Sequence, residues 1–159
     1  MNKPLLIQAI CEKVENELAV IKEAARAAHT AANDPENKAE NQYDTRGLEA
    51  SYLAEAQAKR VVELEEMLLV YRATKPKDFQ PDESVAPTAL VEVQSGSKKS
   101  SFFILARGGG LSISFEGKSV QTVTPQSPLG EALIGLKKDD IVEVENGNYV
   151  REYVILSLC

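Results

Sequence analysis

Apolar positions recur at steps of three and four from Leu5 to Tyr71, and at steps of two after Pro87, so the chain carries two different structural periods. Ile7, Ile10, Val14, Leu18, Ile21, Ala25, Ala28 and Ala32 form a heptad-like seam. Glu12, Lys13, Glu15, Glu17, Lys22, Glu23 and Arg26 lie between them as a solvated face. Pro4 suits a first helical turn, and Pro35 disfavours helical geometry at Asp34, which predicts a helix from Leu5 to Asn33. Ala50, Ala54, Gln57, Val61, Leu64, Leu68 and Tyr71 continue the spacing and predict a second helix, from Thr45 or Arg46 to a point before Lys75-Pro76. At 1.5 Å per residue each is about 40 Å long. The short connection makes them an antiparallel hairpin. Large seam residues sit at the open end and alanines near the connection, so the hairpin is expected to be slimmest there.

Thr74 to Pro87 is polar and proline-bearing and reads as a linker. Beyond it, residues 89–93, 101–105, 111–115, 119–123, 140–144 and 149–156 read as strands. Ser95-Gly96-Ser97, Gly108-Gly109-Gly110 and Asn146-Gly147 are expected to be hairpin turns. Between the fourth and fifth strands Ser127 is a natural N-cap and Pro128 a natural first helical residue, for a short helix reaching Gly135. The fold class is therefore α+β. The hairpin occupies 1–74 with an acidic tip at 33–45, the linker 75–87, and a small β-rich domain 88–159.

Composition narrows the function. A formal charge of -6 disfavours a broad phosphate-gripping surface and favours protein partners, metal ions or entry into a basic channel. No apolar run approaches the ~20 residues that span a bilayer, so no membrane role is expected. The opening residues do not read as a signal peptide, and the two cysteines, Cys11 and Cys159, suggest no disulfide framework; the cytoplasm is the expected compartment. His29, the single histidine, has no ligand or triad partner nearby in sequence and is expected at the surface. Gly108-Gly109-Gly110 leads to a strand rather than a helix, which argues against a phosphate loop. Arg46, Lys59 and Arg60 read as ordinary solvated charge paired at helical spacing with Glu49, Glu55 and Glu63. Phe102, Phe103 and Phe115 read as core rather than as the aromatic ring of a prolyl-isomerase pocket.

The segment Ser127-Pro128-Leu129-Gly130-Glu131-Ala132-Leu133-Ile134-Gly135-Leu136-Lys137-Lys138-Asp139-Asp140-Ile141-Val142-Glu143-Val144 resembles the C-terminal signature of the Gre-type (GreA/GreB) transcript cleavage factors. That signature is a Ser-Pro-x-x-x-Ala-Leu-Ile-Gly-Lys run followed by an acidic turn and a strand. The last strand, Glu152-Tyr153-Val154-Ile155-Leu156, and the tip residues Glu40-Asn41-Gln42-Tyr43 are similar to the family's as well. The resemblance covers almost the whole chain and implies an FKBP-like second domain and a divergent member of the family. It implies a transcription elongation factor that binds bacterial RNA polymerase, inserts its tip into the secondary channel and stimulates cleavage of backtracked nascent RNA. It also brings DNA binding as a family expectation, against the charge.

Within that resemblance Asp34, Glu36, Glu40 and Asp44 are the tip carboxylates expected to assist the polymerase. Asp34, Glu36 and Glu40 are the candidates to contact a Mg2+ ion shared only in the complex, with no cofactor bound alone. A loosely held second metal takes hard oxygen ligands, which is why carboxylates on a thin support suit the task. The family tip reads Asp-Leu-Ser-Glu-Asn-Ala-Glu-Tyr. Here Asp34 can match the first acid, either Glu36 or Glu40 the second, and Lys38 lies among them. Ser127, Pro128, Leu133, Ile134 and Gly135 are the expected partner-binding residues. The chain is not expected to be an enzyme by itself, and is expected to be a monomer with weak self-association. The alternatives are a secondary-channel regulator without cleavage stimulation, an FKBP-like isomerase or chaperone, and a coiled-coil adaptor.

Overall fold

A computed structural model describes residues 1–33, 46–80, 82–147 and 149–159. Two long helices come first, α1 (Lys3–Asn33) and α2 (Arg46–Ala73). Six strands and one short helix follow: β1 (Leu90–Ser95), β2 (Lys98–Ile104), β3 (Ser112–Phe115), β4 (Lys118–Val123), α3 (Pro128–Leu133), β5 (Ile141–Asn146) and β6 (Tyr149–Leu158). The fold is α+β, with two N-terminal helices and a six-stranded mixed sheet of order β3-β4-β2-β1-β6-β5.

The chain divides into two compact units, one of Cys11–Leu69 and one of Met1–Ile10 with Val70–Cys159. The start of α1 and the end of α2 thus share a unit while their middles share the other, as helices running in opposite directions require. In the helical unit the seam keeps its period: Val14, Ala28, Leu64 and Leu68 are buried, and Leu18, Ile21, Ala25, Ala54 and Val61 are half-buried between exposed neighbours. Glu17–Arg60 at 2.6 Å and Lys22–Glu65 at 2.7 Å tie the helices along the seam's flank. Arg60 also reaches Glu63, so its partners are one cross-helix and one local carboxylate. The bond from Glu17 raises the Arg60 pKa above its ordinary value. Such solvent-facing pairs are each worth under ~1 kcal/mol, so the apolar seam sets the pairing.

In the sheet unit alternation along the strands sends side chains to two faces, and both are buried at the centre. Val91, Val93, Phe102, Ile104, Val123, Ile155 and Leu158 form one core face, against which Leu133, Leu129 and Ile134 pack. Leu90, Phe103, Leu105, Ile113 and Val120 are buried elsewhere in the sheet unit, where Leu6, Ile7, Ile10 and Tyr71 of the helix ends are buried too. The Tyr71 hydroxyl lies 2.9 Å from the Arg107 carbonyl and 3.2 Å from that of Gly108, fastening the last turn of α2.

Among the described residues of 74–87 there is no helix or strand, yet several are packed. Phe79 and Val85 belong to the sheet core. The Lys3 and Lys77 ammonium groups stand over the Phe79 ring, at 4.7 and 4.9 Å from its centroid, and Lys3 also donates to the Lys77 carbonyl. Burial lowers the Lys3 pKa.

One sequence expectation fails here. Gly108-Gly109-Gly110 is not a hairpin turn, because β2 pairs in parallel with β4 and not with β3. The chain must pass β4's position to reach the sheet edge, and Gly108 and Gly110 take positive φ values of 72° and 90° while Gly110 and Leu111 bond to Thr122. The hairpin signal lies instead at Glu116-Gly117, with φ of 49° and 75°, joining β3 to β4. The expected turns at Gly96 and Gly147 do join antiparallel neighbours.

Tyr71→Phe removes the hydroxyl and leaves carbonyls at 107–108 without that donor; we expect a loss of about 1–2 kcal/mol. Equilibrium denaturation of the two proteins measures it, and equal midpoints would mean that the hydroxyl does not fasten α2.

Candidate functional site

The four candidate tip carboxylates, Asp34, Glu36, Glu40 and Asp44, lie outside the described residues, and so does Lys38. The helices on either side are described: α1 ends at Asn33 and α2 begins at Arg46, so α1 and α2 lead into and out of the acidic segment. His29, in the penultimate turn of α1, is exposed. Among the described residues no three His, Cys, Asp or Glu side chains cluster as a metal site would need, and no helix is long and apolar enough to cross a membrane.

The second candidate region, around α3, is built from a short chain of constraints. Thr124 and Pro125 end β4, and the chain must then reverse. Ser127 adopts an extended backbone (φ -76°, ψ 152°), accepts the Gly130 N–H at 3.2 Å and donates to the Thr124 carbonyl at 2.8 Å. It is thus the N-cap, with Pro128 at the first position, where no N–H is needed. Gly130 sits against the same turn. A Cβ there would run into the Thr124 carbonyl oxygen, with the carbonyl carbon at 2.8 Å. Small size, not backbone freedom, is what this glycine supplies.

Leu133 is fully buried in the sheet core and anchors α3, so it meets the strands and not the solvent. Ile134 ends the helix half-buried, its N–H donating to the Gly130 carbonyl. Gly135 is exposed with φ 85° and donates to the Val85 carbonyl at 2.8 Å, while Val85 donates to Leu136 at 2.7 Å. This two-bond link fixes the end of α3 to residues 74–87. The acidic turn that follows is structural: the Asp140 carboxylate accepts the Lys137 N–H at 2.7 Å, and Asp139 takes φ 69°. Of the five expected partner-binding residues, Pro128 and Gly135 are exposed, Ser127 and Ile134 are half-buried, and Leu133 is core.

The phenylalanines do not converge. Phe102 and Phe103 are neighbours on one strand and face opposite sides; Phe115 is half-buried on β3. The ring facing Phe102 belongs to Tyr153, edge-on at 6.5 Å. The sequence places Tyr153 in the last strand, but alternation alone does not say which strand lies near which, so its packing against Phe102 carries no sequence signal.

Ser127→Ala removes a cap and is expected to cost about 1 kcal/mol. Gly130→Ala overpacks a backbone contact and is expected to cost about 1–3 kcal/mol. Chemical denaturation orders the two. A Gly130→Ala protein as stable as its parent would contradict the contact.

No protein-family model matches the chain, and no curated protein matches it. Solved structures do. The crystal structure of GreA factor homolog 1 (Gfh1) of Thermus thermophilus is 15% identical, with a TM-score of 0.38, over 94% of this chain and 94% of that one. A structure described as the transcription factor Gfh1 is 17% identical, with a TM-score of 0.41, over 94% of this chain and 93% of that one. The prokaryotic transcription elongation factor GreA/GreB from Nitrosomonas europaea is 16% identical, with a TM-score of 0.38, over 70% of this chain and 91% of that one.

Proposed function

We propose that this chain is a Gre-type regulator of bacterial RNA polymerase, acting in the cytoplasm as a monomer. On this reading it docks through the sheet unit and delivers the segment between α1 and α2 into the secondary channel, where that segment promotes cleavage of backtracked RNA. The observation that carries the reading is the Ser127–Val144 signature. Several of its positions have a physical task in this chain: Ser127 caps, Pro128 opens the helix, Leu133 anchors and Asp140 closes the turn before β5, while Gly130, at a position the signature leaves open, fits under the Thr124 carbonyl and Leu136 stands where the signature has Lys. A two-helix hairpin precedes it, as the resemblance requires.

Asp34, Glu36 and Glu40 would supply carboxylate oxygens, the donor type that Mg2+ takes. The ion, when shared with the polymerase, would neutralise developing phosphate charge and activate a water. The chain's own part is to carry the acids on a narrow two-helix support, with Asp44 as a further acid at the far side of the segment. The hydrolysis belongs to the polymerase, so the protein alone is no enzyme.

A second reading is favoured by the tip sequence. Lys38 lies among the acids, and the spacing from Asp34 to Glu36 or Glu40 departs from the family's two acids three apart. On that reading the protein occupies the channel without stimulating cleavage.

The test is a transcript-cleavage assay on backtracked elongation complexes. The parent chain is expected to accelerate cleavage, and joint alanine replacement of Asp34, Glu36, Glu40 and Asp44 to reduce that acceleration roughly a hundredfold or more. Unchanged acceleration in the fourfold variant would refute the metal role. Polymerase binding without acceleration selects the second reading, and failure to co-purify with polymerase sinks both.

A further inference from the structure

Helix α3 covers only half of the sheet face on which it lies. The register makes this explicit. Val91 pairs with Phe102, Val93 with Ser100 and Ser95 with Lys98, while Phe102 pairs with Gln121 and Arg151 with Val144. Near Leu133 this face is apolar and buried. Toward the β1–β2 turn it becomes polar and opens into a groove of about 980 Å³, whose wall includes Ser95, Lys98, Ser100, Gln121, Arg151 and Tyr153. A smaller hollow of about 400 Å³ shares Ser95 and Arg151 and continues the groove to Tyr149, which is 81% exposed.

Two features give this groove a chemistry. First, two cations line it, Lys98 and Arg151, and among the described residues neither is in an ion pair, a state they share with Lys59, Lys75, Lys99, Lys137 and Lys138 outside the groove. Among the described residues Glu145 is the acidic side chain in the groove's lining, and Glu152 lines the adjoining hollow. Second, the wall offers an aromatic ring: Tyr153 is half-buried and packs edge-on with Phe102, ring centroids 6.5 Å apart.

We propose that this open half-face binds an extended, acidic peptide segment of a partner protein. Lys98 on β2 and Arg151 on β6 stand two strands apart, a separation of roughly 10 Å at the usual strand spacing. Carboxylates four residues apart in an extended segment lie on the same side of it and stand ~13 Å apart at ~3.3 Å per residue, a span that the long Lys98 and Arg151 side chains can meet. The guanidinium takes a carboxylate through paired N–H donors, and the serine hydroxyls, Gln121 and the tyrosine ring serve the intervening backbone and side chains. Two cations in a chain of charge -6 are too few to grip a polyphosphate backbone, which favours a peptide over nucleic acid.

The experiment is an NMR titration of the full, isotope-labelled chain with a short blocked peptide rich in Glu and Asp. A Lys/Arg peptide of matched length and a uridine oligonucleotide serve as comparisons. Amide shifts are expected at Ser95, Lys98, Gln121 and Arg151, with binding that weakens as salt is raised. The double variant Lys98→Glu/Arg151→Glu is expected to bind at least about tenfold more weakly, while Lys137→Glu, outside the groove, binds like the parent. If the double charge reversal disturbs the spectrum of the free protein, Lys98→Gln/Arg151→Gln replaces it with the same expectation. Shifts confined to other surfaces, unchanged affinity in the groove variants, tighter binding of the oligonucleotide, or no binding at millimolar peptide each overturn the proposal.

Discussion

Strands β1 and β2 lie at the middle of a sheet whose buried side chains alternate between two faces, and that need for double cover organises the sheet unit. One face takes its cover from α3 and from Phe79 and Val85. In the same unit the ends of α1 and α2 bring Leu6, Ile10 and Tyr71, all fully buried. Burying a Leu, Ile or Phe side chain is worth about 1.5–3 kcal/mol, so these contacts far outweigh the exposed ion pairs. The first turns of α1 and the last turn of α2 thus serve the sheet unit as well as the hairpin, since Leu6, Ile10 and Tyr71 are fully buried there.

That dual use bears on function. A regulator that acts through a distant acidic segment needs a support whose helices hold register, and the seam from Val14 and Leu64 to Ala28 and Ala54 supplies it with side chains that shrink toward the connection. Small residues on facing helices permit close approach, which is what the proposed task asks of the support. In the sheet unit the same economy recurs at α3. A helix from Pro128 to Leu133 has under two turns and could not stand alone; Ser127, Gly130 and the Val85 bonds hold both of its ends.

Much of this was legible in the sequence. The change of period at Pro87 separated helices from strands, because seam residues such as Val14 and Leu64 repeat at helical spacing and Val91, Val93, Phe102 and Ile104 alternate. The Ser127-Pro128 cap was legible too, since its chemistry is local. What was not legible is non-local. Gly108-Gly109-Gly110 announces a chain reversal but not the strand that will lie alongside, and β2 turned out to lie beside β4. Phe79 and Val85 sit in polar, proline-bearing sequence that gives no periodic signal, though both are core. Leu133 reads as a surface candidate in a motif until the sheet shows where it points. At the candidate site the carboxylates are plain in the sequence, and their identity as working groups is a matter of the complex they are proposed to enter.

The central claim is that the acidic segment between α1 and α2 works inside RNA polymerase. The most direct measurement places a photo-crosslinking residue at Ala39, within that segment, and maps its adducts on backtracked elongation complexes. The account predicts adducts to the walls of the secondary channel near the catalytic centre. Adducts spread over the polymerase exterior, or none at saturating protein, would contradict it.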